Sequence, residues 1–554
     1  MSTTGAPGTF RDHIVEGRYC VGAELVTTRG FTPHDQPDAV VALGETLLKD
    51  ARVGWVSLTD NPGGNTMLPA DWLARRLESE RERIVLHLTC KDRNRNALES
   101  AAWAYAAERF HNLVAMTGDY PRAGYGGQAA PVFDLDSVSL VELLHSMNQG
   151  LQVRGRKGET TALSATNFFI GCVVSPFKRR EPELMMQYFK LLRKISSGAQ
   201  FVYTQLGYDM RKFHEVQLLL ASHGLKVPVI GNAYLLNKTV AEIFHRRQIP
   251  GCVVSDKLLE LAAKYAAGPD KGRSFFQELA AKQLAVFKGL GFAGGYLSGV
   301  AKADAFFKIL ELAETFGEND WRAFAKEIQF PQEGEFYLFE QDPATGLGDV
   351  NQINRQYLQS LEHPQKTKHV TVGYRISRIV HDLFFTPNTP GFNLIRRIYT
   401  RWDKKASALA RGAQAVEDLS KFVFYGCRNC GDCSLPETGY LCPMVSCSKG
   451  ARNGPCGGSV DGQCELQDKE CIWARAYERM KYYHESKDIL AGPVVFYDAS
   501  LRGTSSWANT FLGRDHQGVA AAKQGEPDTP NAAPGPKVKP VATAASPEPK
   551  KEKY

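Results

Sequence analysis

IVLHLTCKDRN at 84–94, followed after about twenty helix-compatible residues by NLVAMTGDYP at 112–121, decides how this chain is read. Each segment opens as an apolar run and then breaks into polar residues: His87, Thr89 and Asp92 in the first, Thr117, Gly118 and Asp119 in the second. Parallel strands buried on both faces read as near-continuous apolar runs. Polar residues gathered at their carboxyl ends mark where such a sheet carries its chemistry.

Working outward, the same kind of run recurs at 21–25 (VGAEL), 55–60 (WVSLTD), 168–175 (FFIGCVVS), 201–209 (FVYTQLGYD), 227–235 (VPVIGNAYL) and 292–299 (FAGGYLSG). With the two opening segments this makes eight. Between them lie stretches such as ALESAAWAYAAERF and PELMMQYFKLLRKISSG, whose apolar residues return every three or four positions. Eight β-α units in the first three hundred or so residues predict an α/β fold, a (β/α)8 TIM barrel with its site at the strand carboxyl ends. A doubly wound open sheet is the alternative, but the G-x-G-x-x-G turn expected after a first strand is missing.

The chain has 554 residues, more than one ordinary domain holds, with 43% hydrophobic and 23% charged residues, as in soluble globular proteins. No apolar run is long enough for a bilayer, so no membrane partner is expected. The first residues have neither a basic start with an apolar stretch nor an Arg-rich amphipathic pattern, which predicts a cytoplasmic protein. A net charge of +7 is mild for this length, and no Lys/Arg cluster with interleaved aromatics precedes the last few residues. Nucleic acid is not an expected partner.

Twelve cysteines are spread unevenly. Cys20, Cys90, Cys172 and Cys252 are scattered, whereas Cys427, Cys430, Cys433, Cys442, Cys447, Cys456, Cys464 and Cys471 crowd into one segment. In a large chain with no export signal that crowding predicts metal rather than disulfides. C-x2-C-x2-C with a later C-P is ferredoxin-like ligation and predicts an iron-sulfur cluster, while two four-thiolate zinc sites are the alternative. The predicted order is a barrel over 10–310, a connecting region over 311–420 with helices and one loop bearing a short strand, a small cysteine-rich metal-binding module over 421–512, and a disordered tail over 513–554.

Single residues at the strand ends read two ways. Glu24, between Ala23 and Leu25, is either a desolvated general acid with a raised pKa or a salt-bridged rim residue. Asp119, after a glycine and before Tyr120 and Pro121, is either a site carboxylate or a helix cap. His87, inside an apolar strand, reads on its own as a satisfied core histidine before a catalyst, and Thr59 taken singly is ambiguous.

Together, AEL, VSLTD, HLTCKDRN, LVAMTGDYP and RKISSGAQFVYTQ, in this order and at these intervals, resemble the methylenetetrahydrofolate reductase family of flavin-dependent barrels. The resemblance covers about residues 10–310. It implies that Glu24 is the acid that protonates folate N10, and that Asp119 is a carboxylate beside flavin and pterin. It also implies that Thr59 and His87 bind the flavin, Lys194 its phosphates, and Gln205 the pterin. The chain departs from the family pattern at Thr117, at Val174 or Ser175, and at Gln187, all among flavin contacts. FAD is the implied cofactor, and these departures keep FMN as the alternative.

The cysteine segment, with GARNGPCGG at 450–458, resembles the carboxyl-terminal domain or partner subunit found with such reductases of acetogenic bacteria. The implied function is flavin-dependent interconversion of methylenetetrahydrofolate and methyltetrahydrofolate. NAD(P)H or an electron-transfer protein would supply electrons, and a homo-oligomer is compatible with this reading. A pterin-binding methyltransferase and a non-catalytic electron-transfer protein are the rival readings.

Overall fold

Eight parallel strands close into a barrel: β1 (Cys20–Leu25), β2 (Val53–Leu58), β3 (Ile84–Thr89), β4 (Asn112–Met116), β5 (Phe169–Val174), β6 (Phe201–Thr204), β7 (Val229–Tyr234) and β8 (Gly294–Ser298). They follow one another in sequence order, and β8 pairs with β1 to shut the ring. Each lies on one of the eight apolar runs. The computed structural model describes residues 8–33, 35–154, 159–404, 408–466 and 469–523.

Alternate strand residues point into the barrel and must fill it. Trp55, Val85, Val114, Phe169, Phe201 and Ile230 form one buried cluster there. Space for the large rings comes from glycines on neighbouring strands. A Cβ on Gly22 would lie 2.0 Å from the Trp55 indole, and one on Gly171 would lie 2.3 Å from the Phe201 ring. A short helix, Phe10–Val15, capped by the Thr9 side chain on the Asp12 N–H, closes the amino end. Phe10 is fully buried, with ring centroids 5.2 Å from Trp55 and 5.3 Å from Phe201.

The helices around the barrel turn their apolar stripes inward. Glu181–Ser196, for example, buries Leu184, Met185, Tyr188 and Leu191. Beyond the barrel helix Ala303–Glu314, the segment expected as loop with a short strand is a β-hairpin, Phe339–Gln341 against Gly348–Ile353. It is strapped to helix Met210–Ser222, where the buried Glu215 carboxylate accepts from the Leu338 and Phe339 amides at 2.6 and 3.1 Å.

Helices Val372–Phe384, Pro390–Lys404 and Ala408–Tyr425 lead into the cysteine segment, which has few regular elements. Its main helix, Ile472–Tyr482, packs on Glu181–Ser196, and the Tyr477 hydroxyl donates to Glu181 at 2.8 Å. The tail predicted from 513 begins with a helix, His516–Lys523, because His516 is buried and held by Asp432 at 2.6 Å and Glu437 at 3.1 Å. From 524 onward the predicted tail lies outside the described residues. Among those described, no helix is long and apolar enough to cross a membrane.

Candidate active site at the carboxyl end of the barrel

The inward register that carries Trp55, Val85 and Phe201 reaches, two and four residues on, Ser57, Thr59, His87, Tyr203 and Gln205. Glu24 stands two residues beyond Gly22 on the same register of β1. These side chains therefore share one end of the barrel interior because of strand parity alone.

Below the mouth, Ser57 Oγ lies 3.1 Å from His87 Nε2 and 3.3 Å from the Tyr203 hydroxyl. The Tyr203 and Tyr296 rings stack at 5.0 Å. Burial pushes His87 down to about 4, so its ring is neutral at physiological pH.

Glu24 accepts a hydrogen bond from the Gly299 amide at 3.2 Å. Burial raises its carboxyl pKa, opposed by that amide and by the Tyr296 hydroxyl beside it. The Tyr296 hydroxyl lies within reach of Glu24 and Ser57 but meets neither in hydrogen-bond geometry, which leaves it buried without a partner. A carboxyl with a raised pKa holds a proton closer to neutrality than an ordinary glutamic acid does.

Asp119 follows Gly118, whose φ of +85° turns the chain at the end of β4. A Cβ at Gly118 would lie 3.0 Å from Thr89, so the turn is also tight. Asp119 Oδ2 then accepts from the Gly63 amide at 2.9 Å. Thr59 is buried and bonds back to the Leu25 carbonyl through its amide at 3.2 Å.

Cys252 reports that the two carboxylates belong to one region. Burial drives its thiol pKa strongly upward, and Asp119 and Glu24 both push it further. Tyr234, at the end of β7, likewise feels burial first, then Glu24 and Cys252. Cys252, Tyr234, Tyr296, Ser57 and Tyr203 were not singled out from sequence. The four on strand registers carried a signal in their inward parity; Cys252, in a loop, carried none.

Lys194 is buried and donates to the Val173 carbonyl at 2.6 Å, and burial lowers its pKa to about 8. Gln205 accepts from the Leu206 amide at 2.9 Å, and its side-chain nitrogen would lie 3.1 Å from a Cβ on Gly251. Thr117 accepts from the Ser137 amide at 3.3 Å, and Ser175 Oγ is buried with no partner.

The cysteine segment reaches the same rim. Lys449 donates to the Gly118 carbonyl at 3.0 Å and pairs with Glu465 at 2.5 Å. The Asn453 amide donates to Asp136 at 2.9 Å. Gln187 donates to the Cys456 carbonyl at 2.7 Å, Lys190 to the Gly454 and Pro455 carbonyls at 3.2 and 3.0 Å, and Lys178 to those of Gly457 and Ser459 at 2.6 and 2.5 Å. The GARNGPCGG stretch is thus a strap across the ends of β4 and β5, held by cations and amides on main-chain oxygens.

The eight clustered cysteines fall into two groups. Cys427, Cys430, Cys433 and Cys442 line a small cavity of about 30 Å³ together with Asp432 and Lys421. Cys447 feels Cys464, Cys456 feels Cys447, and Cys471 feels Cys456 and Cys447 in a second group, where burial, the leading cause, raises Cys456 to about 11 and Cys471 to about 12. All eight are free thiols. Four soft sulfur donors around one space suit a thiolate-binding metal, yet among the described residues no three His, Cys, Asp or Glu side chains are arranged to hold an ion. The donor type fits; the arrangement does not close.

A closed parallel barrel with a desolvated glutamic acid, a second carboxylate and a neutral imidazole at its carboxyl end defines a class, the (β/α)8 enzymes that work at that rim. Residues 13–312 match the family described as Methylenetetrahydrofolate reductase, and residues 407–495 match the one described as Methylene-tetrahydrofolate reductase C terminal. The chain belongs to the methylenetetrahydrofolate reductase family, whose members are generally flavin-dependent.

Among curated proteins it is 22% identical over 219 residues to Methylenetetrahydrofolate reductase 2 of Schizosaccharomyces pombe (strain 972 / ATCC 24843). That match takes in 39% of this chain and 32% of the relative, so the chain spans about a third of the relative's length. Among solved structures, an uncharacterised protein from Clostridium thermocellum that binds two copies of 5-methyl-5,6,7,8-tetrahydrofolic acid is 11% identical, with a TM-score of 0.38 over 55% of this chain and 96% of that one. EDTA monooxygenase (EmoA) from Chelativorans sp. BNC1 is 11% identical at a TM-score of 0.33, with the same shares of the two chains.

Proposed function

We propose that this protein interconverts 5,10-methylenetetrahydrofolate and 5-methyltetrahydrofolate with a bound flavin. The observation that carries the proposal is the pairing at one mouth of Glu24, desolvated and raised in pKa, with Asp119, fixed by the Gly63 amide. Glu24 would donate a proton to folate N10 as the bond from the methylene carbon to N10 breaks, leaving an electrophilic iminium at N5. In the opposite direction the same carboxylate takes that proton back. Asp119 would face the cation so formed, and Coulomb attraction in a poorly hydrated mouth favours it.

A bound flavin would supply the two-electron step that exchanges hydride with the one-carbon unit. Thr59, the neutral His87 and Asp119 would line it, Gln205 would hydrogen-bond the pterin, and Lys194 would lie toward the flavin phosphate. The unpartnered hydroxyls of Ser175 and Tyr296 suit a polar ligand at this end. FAD is the flavin the family favours, with FMN as the alternative. Electrons would come from NAD(P)H or an electron-transfer protein. The thiol groups are assigned to iron-sulfur clusters, with zinc as the alternative.

Anaerobic purification followed by assay with methyltetrahydrofolate and an artificial acceptor tests the proposal. Turnover by a protein with the flavin's visible absorption is the expected result. Absence of flavin, or flavin without turnover, overturns it. Analysis of the same sample for iron, zinc and acid-labile sulfide tests the metal assignment separately.

A further inference from the structure

One hydroxyl at the barrel mouth has two acceptors before it and holds neither. Tyr296, on β8, stands opposite Gly22 of β1 in the strand register, and Glu24 lies two residues further along β1. The Tyr296 ring is stacked on Tyr203 at 5.0 Å, with planes 30° apart, and lies 6.5 Å from the His87 ring. Its hydroxyl is buried and without a partner. Packed against two rings, the phenol cannot travel, but the hydrogen on its oxygen is free to turn.

The two acceptors within reach are the Glu24 carboxyl and Ser57 Oγ. Ser57 already meets His87 Nε2 at 3.1 Å and the Tyr203 hydroxyl at 3.3 Å. A hydrogen bond to an ionised acceptor is roughly twice as strong as one to a neutral acceptor. The partner that the Tyr296 hydrogen prefers therefore changes with the charge on Glu24.

The other bond to Glu24 cannot respond in this way. It comes from the Gly299 amide at 3.2 Å, main chain held in a turn with a φ of +75°. The titratable groups that face this end from other elements are Asp119 after β4, His87 on β3, Tyr203 on β6, Tyr234 on β7 and Cys252 in the loop beyond it. Burial keeps His87 neutral near pH 7 and pushes the two tyrosines and the thiol upward, so these groups do not change charge there.

We propose that Tyr296 is a positioning residue for Glu24: its hydroxyl turns from Ser57 to the carboxylate when Glu24 has given up its proton, and turns back when the proton returns. The proposal rests on the reading of Glu24 as the group that gives the proton in one direction and takes it in the other. No proton leaves the phenol, whose own ionisation burial pushes well above the usual range; only the O–H bond rotates. Burial lifts Glu24 toward the acid's role, and the Tyr296 hydroxyl opposes that lift. One carboxyl can then serve both directions near neutrality.

Infrared difference spectra between pH values, taken on the purified full chain, test this without substrate, and the band lost in Glu24→Gln identifies the carboxyl. Tyr296→Phe keeps the stacked ring and removes the hydroxyl. The midpoint of the Glu24 band should then rise by about one to two pH units, the size of a hydrogen bond to a charged group. Ser57→Ala removes the competing acceptor, leaves the hydroxyl to Glu24 and should lower the midpoint. A general disturbance of packing does not produce shifts of opposite sign. In turnover, the alkaline limb for consumption of methylenetetrahydrofolate should move up in Tyr296→Phe and down in Ser57→Ala. A midpoint that Tyr296→Phe leaves in place, or that both variants move the same way, would overturn the proposal even if folate turns over. Opposite shifts in a protein without folate turnover would support the hydroxyl's role and remove the folate reading instead.

Discussion

The barrel mouth and the cysteine segment hold their reactive groups by opposite means. At the mouth, Glu24, Thr59, His87 and Gln205 are positioned by strand register, and Asp119 by one amide at 2.9 Å at a strand end. In the cysteine segment the thiols sit largely on loops, around a cavity or beside one another, without closing on an ion. The first region is preorganised by its fold. In the second, the described residues bring no three such donors onto one point, and thiolates brought close without a cation repel one another.

The sharpest way to break this comparison is to change chemistry at the mouth and leave the ladder alone. Glu24→Gln should lower folate turnover by about 100- to 10,000-fold while the flavin spectrum and the melting curve stay those of the wild type. Its pH profile tells more. In the direction that consumes methylenetetrahydrofolate, the wild-type rate should fall as pH rises through the elevated Glu24 pKa, and the variant should lose that limb. Unchanged turnover would remove Glu24 from the acid's role.

The joint between the regions comes next. Lys449 and Glu465 form a pair whose side chains are 4% and 5% exposed, so Lys449→Met leaves a buried carboxylate without its cation. A loss of about 3–5 kcal/mol is expected in chemical denaturation, read as the strap releasing the rim. Retained stability would show that the two regions do not depend on this contact.

The smallest effect concerns His87. Its pKa in the fold is about 4 against an ordinary 6.5, so the unfolded chain binds the extra proton between those values. Stability is therefore fully present above pH 6.5 and is lost as pH falls toward 4, by about 3 kcal/mol. His87→Asn should flatten that part of the stability curve. A curve that keeps its slope would place the acid sensitivity elsewhere.

Sequence showed the barrel because burial on two faces writes long β-branched runs, and helices between them keep one period. It showed Glu24, Thr59, Asp119 and Gln205 because each sits near or beyond the end of such a run, and His87 because a polar ring interrupts one. Cys252 escaped because a residue arriving from a loop follows no period. The strap escaped for another reason: Lys178, Lys190 and Gln187 bind main-chain carbonyls, which every residue possesses and no motif advertises. Helix Ala408–Tyr425 was legible as a helix, yet which of its faces is inward was decided by Ser505 and Ser506, nearly ninety residues from Glu417.

Phe10 stoppers the amino end of the barrel, wedged between Trp55 and Phe201. Whatever reaches Glu24 must therefore enter and depart by a single neck. Reactants sharing such a vessel queue instead of passing one another, so the order of arrival and release is imposed by its shape.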